Sequence, residues 1–153
     1  MKIQSNKNGV NIDDWETPKY IKDYIRKEFG EYFDPCPLKS TIDGLSIDWE
    51  PINYINPPYS RKLKEAFIMK ALEESKKCAI CILLIPANTD TKIFHDVLVP
   101  NGVIKLIKKR IAFIGYDTKG NYVTNKTGTS GSMLVIFGLK EKPNIKTLII
   151  KSL

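Results

Sequence analysis

Apolar residues recur every three or four positions in two stretches of the chain, a spacing that predicts helices with one face against a core. The first stretch follows Thr17-Pro18, where the threonine hydroxyl is a candidate N-cap and the proline suits the first helical position, and it ends at Gly30. The second occupies about residues 60–77, with a serine as its candidate cap. Thr89 or Asp90 is the candidate cap of a third helix.

Short apolar runs separate these helices. Residues 79–85 lack alternating polar positions, as expected of a central strand that is covered on both faces. Six further runs are predicted strands: residues 32–33, 52–55, 103–107, 111–114, 133–137 and 147–150. Residues 115–132 contain four glycines and predict a mobile loop or a hairpin. Because strands alternate with helices, we expect an α/β domain with a mostly parallel central sheet flanked by helices.

The length of 153 residues corresponds to one domain. Residues 1–13 are polar and predict a flexible N-terminal arm, so we assign residues 14–153 to the domain. Apolar residues make up 42% of the chain, which is enough for a packed core. The longest apolar run is much shorter than the roughly 20 residues of a membrane-spanning helix, and the N-terminus lacks an apolar signal core. We therefore expect a soluble, intracellular protein.

The net charge of +7 is carried mainly by lysine, with 21 lysines against 3 arginines. Lysine suits contacts with phosphate, whereas arginine offers the planar, bidentate donors that read guanine. A nucleic-acid partner would therefore be held mainly through its backbone. A solubilising surface accounts for the same charge equally well.

Cys36, Cys78, Cys81 and His95 are the residues that could form a Cys₃His zinc site. Cys78 and Cys81 fall in an apparent buried strand, where a separation of three residues points their side chains to opposite faces. The same geometry argues against a redox pair. We therefore expect reduced core thiols, no metal, and a structural role for His95.

The sequence Asn56-Pro57-Pro58-Tyr59 lies directly between a predicted strand and a predicted helix. Ligands of open α/β sheets bind at such junctions, at the carboxyl ends of the strands. The two prolines stiffen the turn and remove two backbone donors. Asn56 adds an amide oxygen and Tyr59 adds an aromatic face, which together make a slot for a planar group with an NH₂. A purely structural turn is the alternative interpretation.

The four residues resemble the catalytic [D/N/S]-P-P-[Y/F/W] motif of S-adenosylmethionine-dependent amino-methyltransferases. Further short sequences, in the same order from about residue 13 to residue 138, resemble the phage-type DNA N6-adenine methyltransferases. These are Asp14-x-x-Thr17-Pro18, Asp34, Asp43-Gly44-Leu45, Trp49, Leu84-Ile85-Pro86-Ala87, Thr91, Phe94-His95 and Lys109-Arg110-Ile111-Ala112-Phe113. The resemblance implies a minimal, Rossmann-like class I methyltransferase domain.

By position, the resemblance implies that Asn56, Pro57, Pro58 and Tyr59 are the catalytic residues. Asn56 and the Pro57 carbonyl group would accept hydrogen bonds from the N6 amine of an adenine flipped out of duplex DNA, and Tyr59 would stack on that base. Positioning would then supply most of the catalysis, so that no strong general base is needed.

The same resemblance implies a binding site for S-adenosylmethionine. Its candidate residues are Thr17, Pro18, Asp34, Pro35, Cys36, Asp43 and Asn56. Thr17 could instead, or in addition, cap a helix, and Asp43 could simply form a turn. The glycine-rich loop that usually follows the first strand of methyltransferases is absent, and a proline-containing turn replaces it, so the backbone approaches the cofactor less closely.

Basic and amide side chains near the motif are candidates for nucleic-acid contacts. Those suited to phosphates are Arg61, Lys62, Lys64, Lys109 and Arg110. Those in the glycine-rich stretch, which are candidates for target recognition, are Lys119, Asn121, Asn125 and Lys126. A plain flexible hairpin is the alternative for this stretch.

We therefore predict an adenine N6-methyltransferase that acts on DNA without a separate recognition domain. Its sequence selectivity would be modest, or supplied by a second copy of the chain or an accessory protein. We expect it in the cytoplasm of a bacterium or of a virus-infected bacterial cell. Two other functions stay open: methylation of RNA adenine or protein glutamine, which present the same planar NH₂, and nucleic-acid binding by an inactive protein of the same fold.

Overall fold

A computed structural model describes residues 15–37, 42–58, 60–116, 119, 121–127 and 130–151, the side chains of Tyr116 and Lys126 excepted. The helices are α1 (Lys19–Phe29), α2 (Arg61–Ser75) and α3 (Val99–Asn101), the last of which continues a π-helical turn at Phe94–Leu98. The strands are β1 (Trp15–Glu16), β2 (Ile52–Ile55), β3 (Ile80–Pro86), β4 (Val103–Ile107), β5 (Ala112–Tyr116), β6 (Tyr122–Thr127), β7 (Ser132–Phe137) and β8 (Asn144–Leu148). The predicted arm at residues 1–13 lies outside the described residues.

Five strands form a central sheet in the order β2-β3-β7-β4-β8. The pairs β2–β3 and β4–β8 are parallel, whereas β7 runs antiparallel to both of its neighbours. The prediction of a mostly parallel sheet is therefore wrong, since the sheet is mixed. Between β4 and β7 the described residues form two strands instead of a crossover helix, so the chain returns beside β4 in the opposite direction.

A second, antiparallel sheet has the order β1-β5-β6. β5 and β6 form a hairpin, which was one of the two predictions for residues 115–132. β1 was not predicted, because a strand of two residues carries no periodic pattern. This second sheet brings the hairpin and the start of the described chain together.

The central strands are buried on both faces, as their apolar sequences predict. Cys81, Leu83 and Ile85 of β3 face one hydrophobic cluster, and Ile82 and Leu84 face another. Residues of α2 and of the π-helical turn belong to the first cluster, and residues of α1 and β5 belong to the second. The α/β prediction is thus confirmed, with helical segments on both sides of the sheet.

The bounds of the predicted elements differ from the structure at several ends. β2 and β4 occupy the predicted residues. The strand predicted at residues 32–33 is reduced to one parallel bridge between Phe33 and Asn53. The last strand begins three residues earlier than predicted, because its polar first half lies at the edge of the sheet, where burial imposes no apolar pattern.

Two predicted helix caps are wrong. Pro18, and not Thr17, is the N-cap of α1, because the Thr17 hydroxyl is buried against the hydroxyl of Tyr54. Neither residue 89 nor residue 90 caps the third helical segment. There the hydroxyl of Thr91 accepts a hydrogen bond of 3.3 Å from the main-chain N–H of Phe94. The Thr17 hydroxyl thus has a partner far away in the sequence, whereas Thr91 makes the local contact of a helix cap, one residue after the predicted position.

The cysteines occupy three different environments. Cys81 lies in β3 and is buried, Cys36 is half-buried, and Cys78 is exposed. The prediction that Cys78 belongs to the buried strand is wrong, because its backbone turns at a φ of 71° just before β3. His95 is exposed, and its Nε2 atom lies 2.8 Å from the carbonyl oxygen of Thr89.

Candidate active site

The Asn56 turn and the Asp34 turn follow neighbouring chain segments at one edge of the central sheet. Phe33 and Asn53 form a parallel bridge, with main-chain hydrogen bonds of 2.9 Å on both sides of it. Segments that run in the same direction end at the same edge of a sheet. Asp34 follows the segment that contains Phe33, and Asn56 follows β2. The two candidate residues are far apart in the sequence but therefore lie at the same edge of the sheet.

The side-chain amide of Asn56 is held by β1. Its Nδ2 atom donates a hydrogen bond to the main-chain carbonyl oxygen of Trp15, which leaves Oδ1 on the other side of the amide group. None of the described residues donates a hydrogen bond to Asn56 Oδ1 or to the carbonyl oxygen of Pro57. Pro57 and Pro58 are buried. The turn thus carries two acceptor oxygens on a rigid support, and Tyr59 lies outside the described residues.

A cleft of about 320 Å³ opens beside Asn56. Its lining residues are Trp15, Glu16, Thr17, Lys22, Asp34, Cys36, Pro37 and Asn56. The volume is within the range of small-molecule sites, about 300–1,000 Å³. Of the seven residues predicted to bind the cofactor, four line this cleft: Thr17, Asp34, Cys36 and Asn56.

The other three predicted cofactor residues, Pro18, Pro35 and Asp43, are not among the residues that line the cleft. Pro18 is the N-cap of α1, and Pro35 is buried in the Asp34 turn. Asp43 is exposed, and its Oδ1 atom accepts a hydrogen bond of 3.1 Å from the main-chain N–H of Leu45. This hydrogen bond supports the interpretation that Asp43 forms a turn.

The turn that replaces a glycine-rich loop is stabilised by its own aspartate. Oδ1 of Asp34 accepts a hydrogen bond of 2.8 Å from the main-chain N–H of Cys36, which is the arrangement of an Asx turn. Gly44 packs against this turn so closely that a Cβ atom there would lie 2.0 Å from the carbonyl oxygen of Pro35. These contacts fix the wall of the cleft around Asp34.

Four residues that line the cleft were not predicted from the sequence: Trp15, Glu16, Lys22 and Pro37. Glu16 and Lys22 form an ion pair of 2.7 Å between β1 and α1. An acidic and a basic residue six positions apart, on either side of a helix start, give no recognisable motif. Trp15 could have been noticed as a large aromatic residue two positions before Thr17, but its carbonyl oxygen, not its ring, accepts the hydrogen bond from Asn56.

The candidate nucleic-acid residues lie mostly on the surface. Those exposed to solvent are Arg61, Lys62, Lys109, Arg110, Lys119, Asn121 and Asn125, and Lys64 is half-buried. The side chain of Lys126 is outside the described part of the chain. Arg61 is paired with Glu65 at 3.3 Å, so part of its charge is already neutralised.

A second cleft, of about 390 Å³, lies between the start of α2 and the end of β3. Arg61 and Lys64 contribute to it from α2, and Pro86, Asn88 and Lys92 contribute from the segment that begins at the end of β3. It therefore borders the helix that directly follows the Asn56 turn, and it contains two of the predicted phosphate-binding residues.

The family described as DNA N-6-adenine-methyltransferase (Dam) matches residues 4–152. No curated protein and no solved structure matches the chain significantly. The family match covers the Asn56 turn, the cleft and both sheets, and the mixed α/β architecture is consistent with a methyltransferase fold. In the described part of the chain, every helix is too short or too polar to span a membrane.

Proposed function

This chain belongs to the DNA N-6-adenine-methyltransferase (Dam) family, and from that membership we propose that it transfers a methyl group from S-adenosylmethionine to the N6 amine of an adenine held at the Asn56 turn. The observation that carries the proposal is the pair of acceptor oxygens on consecutive residues, Asn56 Oδ1 and the Pro57 carbonyl, of which Asn56 lines the 320 Å³ cleft. We assign residues 14–153 to one methyltransferase domain, with residues 1–13 as an arm.

The chemistry of the cleft fits the methyl donor. S-adenosylmethionine carries a sulfonium group, and its methionine end carries an ammonium and a carboxylate group. Asp34 and Glu16 are acidic and suit the cationic groups, and Lys22 suits the carboxylate. When bound, the donor supplies an activated methyl group, whose bond to sulfur breaks with the electron pair staying on sulfur as the bond to nitrogen forms.

The residues of the turn would orient the acceptor amine. Its two N–H groups would donate hydrogen bonds to Asn56 Oδ1 and to the Pro57 carbonyl oxygen, and both bonds direct the nitrogen lone pair away from the turn. Because the cleft opens beside Asn56, the lone pair would then face the methyl group. The extra proton on the methylated nitrogen passes to solvent water, so no side chain has to act as a base.

Tyr59 and the exposed cations would hold the DNA. Stacking of a flipped adenine on Tyr59 returns about 1–3 kcal/mol, against an unstacking cost of a few kcal/mol. Phosphate contacts from residues such as Lys109 and Arg110 would supply the remainder. We place this reaction in the cytoplasm of a bacterial or virus-infected bacterial cell, where DNA and the methyl donor are both present.

Transfer of an isotopically labelled methyl group to different acceptors tests this proposal. Duplex DNA, single-stranded RNA and a glutamine-containing peptide are offered separately, and the products are hydrolysed and identified by mass spectrometry. We expect label on adenine N6 of DNA. Label only on RNA or on glutamine would replace the proposed acceptor. The absence of transfer, together with the absence of donor binding in calorimetry, would favour an inactive DNA-binding protein.

A further inference from the structure

Strand β1 contacts three parts of the molecule at once. Its residues pair with Gly115 and Ile114 of β5, in the hairpin sheet. The carbonyl oxygen of Trp15 accepts the hydrogen bond from Asn56. Thr17, the next residue after β1, is bonded through its hydroxyl to Tyr54 of β2. A segment of three residues thus joins the hairpin, the central sheet and the candidate catalytic turn.

Gly115 determines where the Trp15 ring can lie. A Cβ atom built on Gly115 would be 2.4 Å from Cε3 of the Trp15 ring, which is far inside van der Waals contact. The ring of a tryptophan in a paired strand is not a flexible chain end that can move aside. Any side chain at position 115 therefore displaces Trp15, and its carbonyl oxygen with it. Gly131, which directly precedes β7, is a contrasting case, because a Cβ atom there meets nothing within 4 Å.

We propose that β1 is a positioning strap, in which the Trp15 carbonyl oxygen orients the Asn56 amide toward the acceptor amine and Gly115 sets the position of Trp15. This proposal rests on the proposed function of Asn56. An asparagine amide can rotate by half a turn and exchange its oxygen for its NH₂. Only one orientation presents an acceptor to an adenine amine. The Trp15 carbonyl oxygen selects that orientation, since it pairs with Nδ2 and would repel Oδ1.

The strap also explains why an amide, rather than a carboxylate, suits this position in this chain. An aspartate at residue 56 would place a carboxylate oxygen against the Trp15 carbonyl oxygen, and two acceptors without a proton repel each other. Protonation removes the conflict, because a carboxyl O–H donates to the Trp15 carbonyl oxygen while the other oxygen stays an acceptor. The titratable groups around the cleft are Glu16, Lys22, Asp34 and Cys36.

Hydrogen exchange of the Asn56 side-chain amide tests the strap without donor or DNA. Its signal in a nitrogen-15 spectrum is identified by its disappearance in Asn56→Ala. We expect one protected Nδ2 proton in the wild-type protein, loss of the protection in Gly115→Ala, and no change in the control Gly131→Ala. Asn125, which is exposed, gives the unprotected reference. An Asn56 amide that exchanges as fast as that of Asn125 in the wild-type protein would overturn the proposal.

The pH dependence of Asn56→Asp gives the functional readout. At pH 8 we expect methyl transfer to be about 10- to 100-fold slower than in the wild-type protein, from the loss of one hydrogen bond and the approach of a charge to a carbonyl oxygen. The ratio of variant to wild-type rates should rise as the pH falls toward 6. A constant ratio, or full activity of the variant at pH 8, would contradict the strap. Wild-type inactivity with a protected Asn56 amide would instead contradict the proposed function alone.

Discussion

Replacing Tyr54 by phenylalanine would remove one hydroxyl group from a buried pair. Tyr54 is 1% exposed and Thr17 is 3% exposed, and their hydroxyls are hydrogen-bonded to each other. In the Tyr54→Phe variant the Thr17 hydroxyl stays buried, without another partner among the described residues. A buried polar group that loses its partner costs about 1–3 kcal/mol. We therefore expect the free energy of unfolding to fall by about 1–3 kcal/mol.

A double-mutant cycle separates this hydrogen bond from packing effects. Thr17→Val keeps the shape of the side chain and removes the other hydroxyl, so the double variant buries neither polar group. Its loss of stability should be smaller than the sum of the two single losses, by about 0.5–3 kcal/mol. Urea denaturation followed by circular dichroism measures each value.

Tyr20→Phe is the matched control for the cycle. Tyr20 lies on α1, is half-buried, and its hydroxyl makes no hydrogen bond to the described residues. Its removal should change stability by less than about 0.5 kcal/mol. If the two single losses in the Thr17 and Tyr54 pair simply add, the hydroxyls are not coupled, and the account of how the N-terminal segment is held would be refuted.

Three further predictions concern stability and reactivity. Gly138→Ala should destabilise the fold by about 2–5 kcal/mol, measured by urea denaturation, because φ is +94° and a Cβ atom would lie 2.1 Å from a carbonyl oxygen. Glu74 is buried, and the hydrogen bond from Lys70 holds the pKa of its carboxyl group below the ordinary value of 4.5. The ion pair of Lys70 and Glu74 should therefore stabilise the protein above pH 4.5, and this stabilisation should be lost as the pH falls through the lowered pKa. Glu74→Gln should therefore flatten the pH dependence of the unfolding midpoint below pH 5. Burial raises the pKa of the Cys81 thiol to about 12, so alkylation at pH 8 should label exposed Cys78 and spare Cys81 until the protein unfolds, as peptide mass spectrometry can show.

Patterns that depend on burial could be read from the sequence. The apolar run in β3 predicted a strand covered on both faces, because a sheet between two layers excludes polar side chains from both sides. The Asn56 turn could also be recognised in the sequence, because its chemistry comes from four consecutive residues. The family resemblance implied that Asp34 lies near this turn, and the structure gives the physical reason, since both residues follow strand segments that run in the same direction.

Features that depend on long-range main-chain contacts could not be read in this way. β7 runs antiparallel to both of its neighbours, and the described residues between β4 and β7 form strands and no crossover helix. From the sequence, residues 115–132 were equally compatible with a loop. The Trp15 carbonyl oxygen is a group that every residue possesses, so no residue type marks its contact with Asn56. The Thr17 hydroxyl had a plausible local role as a helix cap, and only the fold brings Tyr54 beside it.

The single-turnover rate of methyl transfer to DNA by Asn56→Ala, with the methyl donor saturating, tests the central claim most directly. Removal of one preorganised hydrogen-bond partner of the reacting group typically costs about 10²- to 10³-fold in rate. We predict a loss of at least that size, with donor affinity measured by calorimetry close to the wild-type value. An unchanged rate, or a loss fully explained by weaker donor binding, would contradict the role of the Asn56 turn in holding the adenine amine.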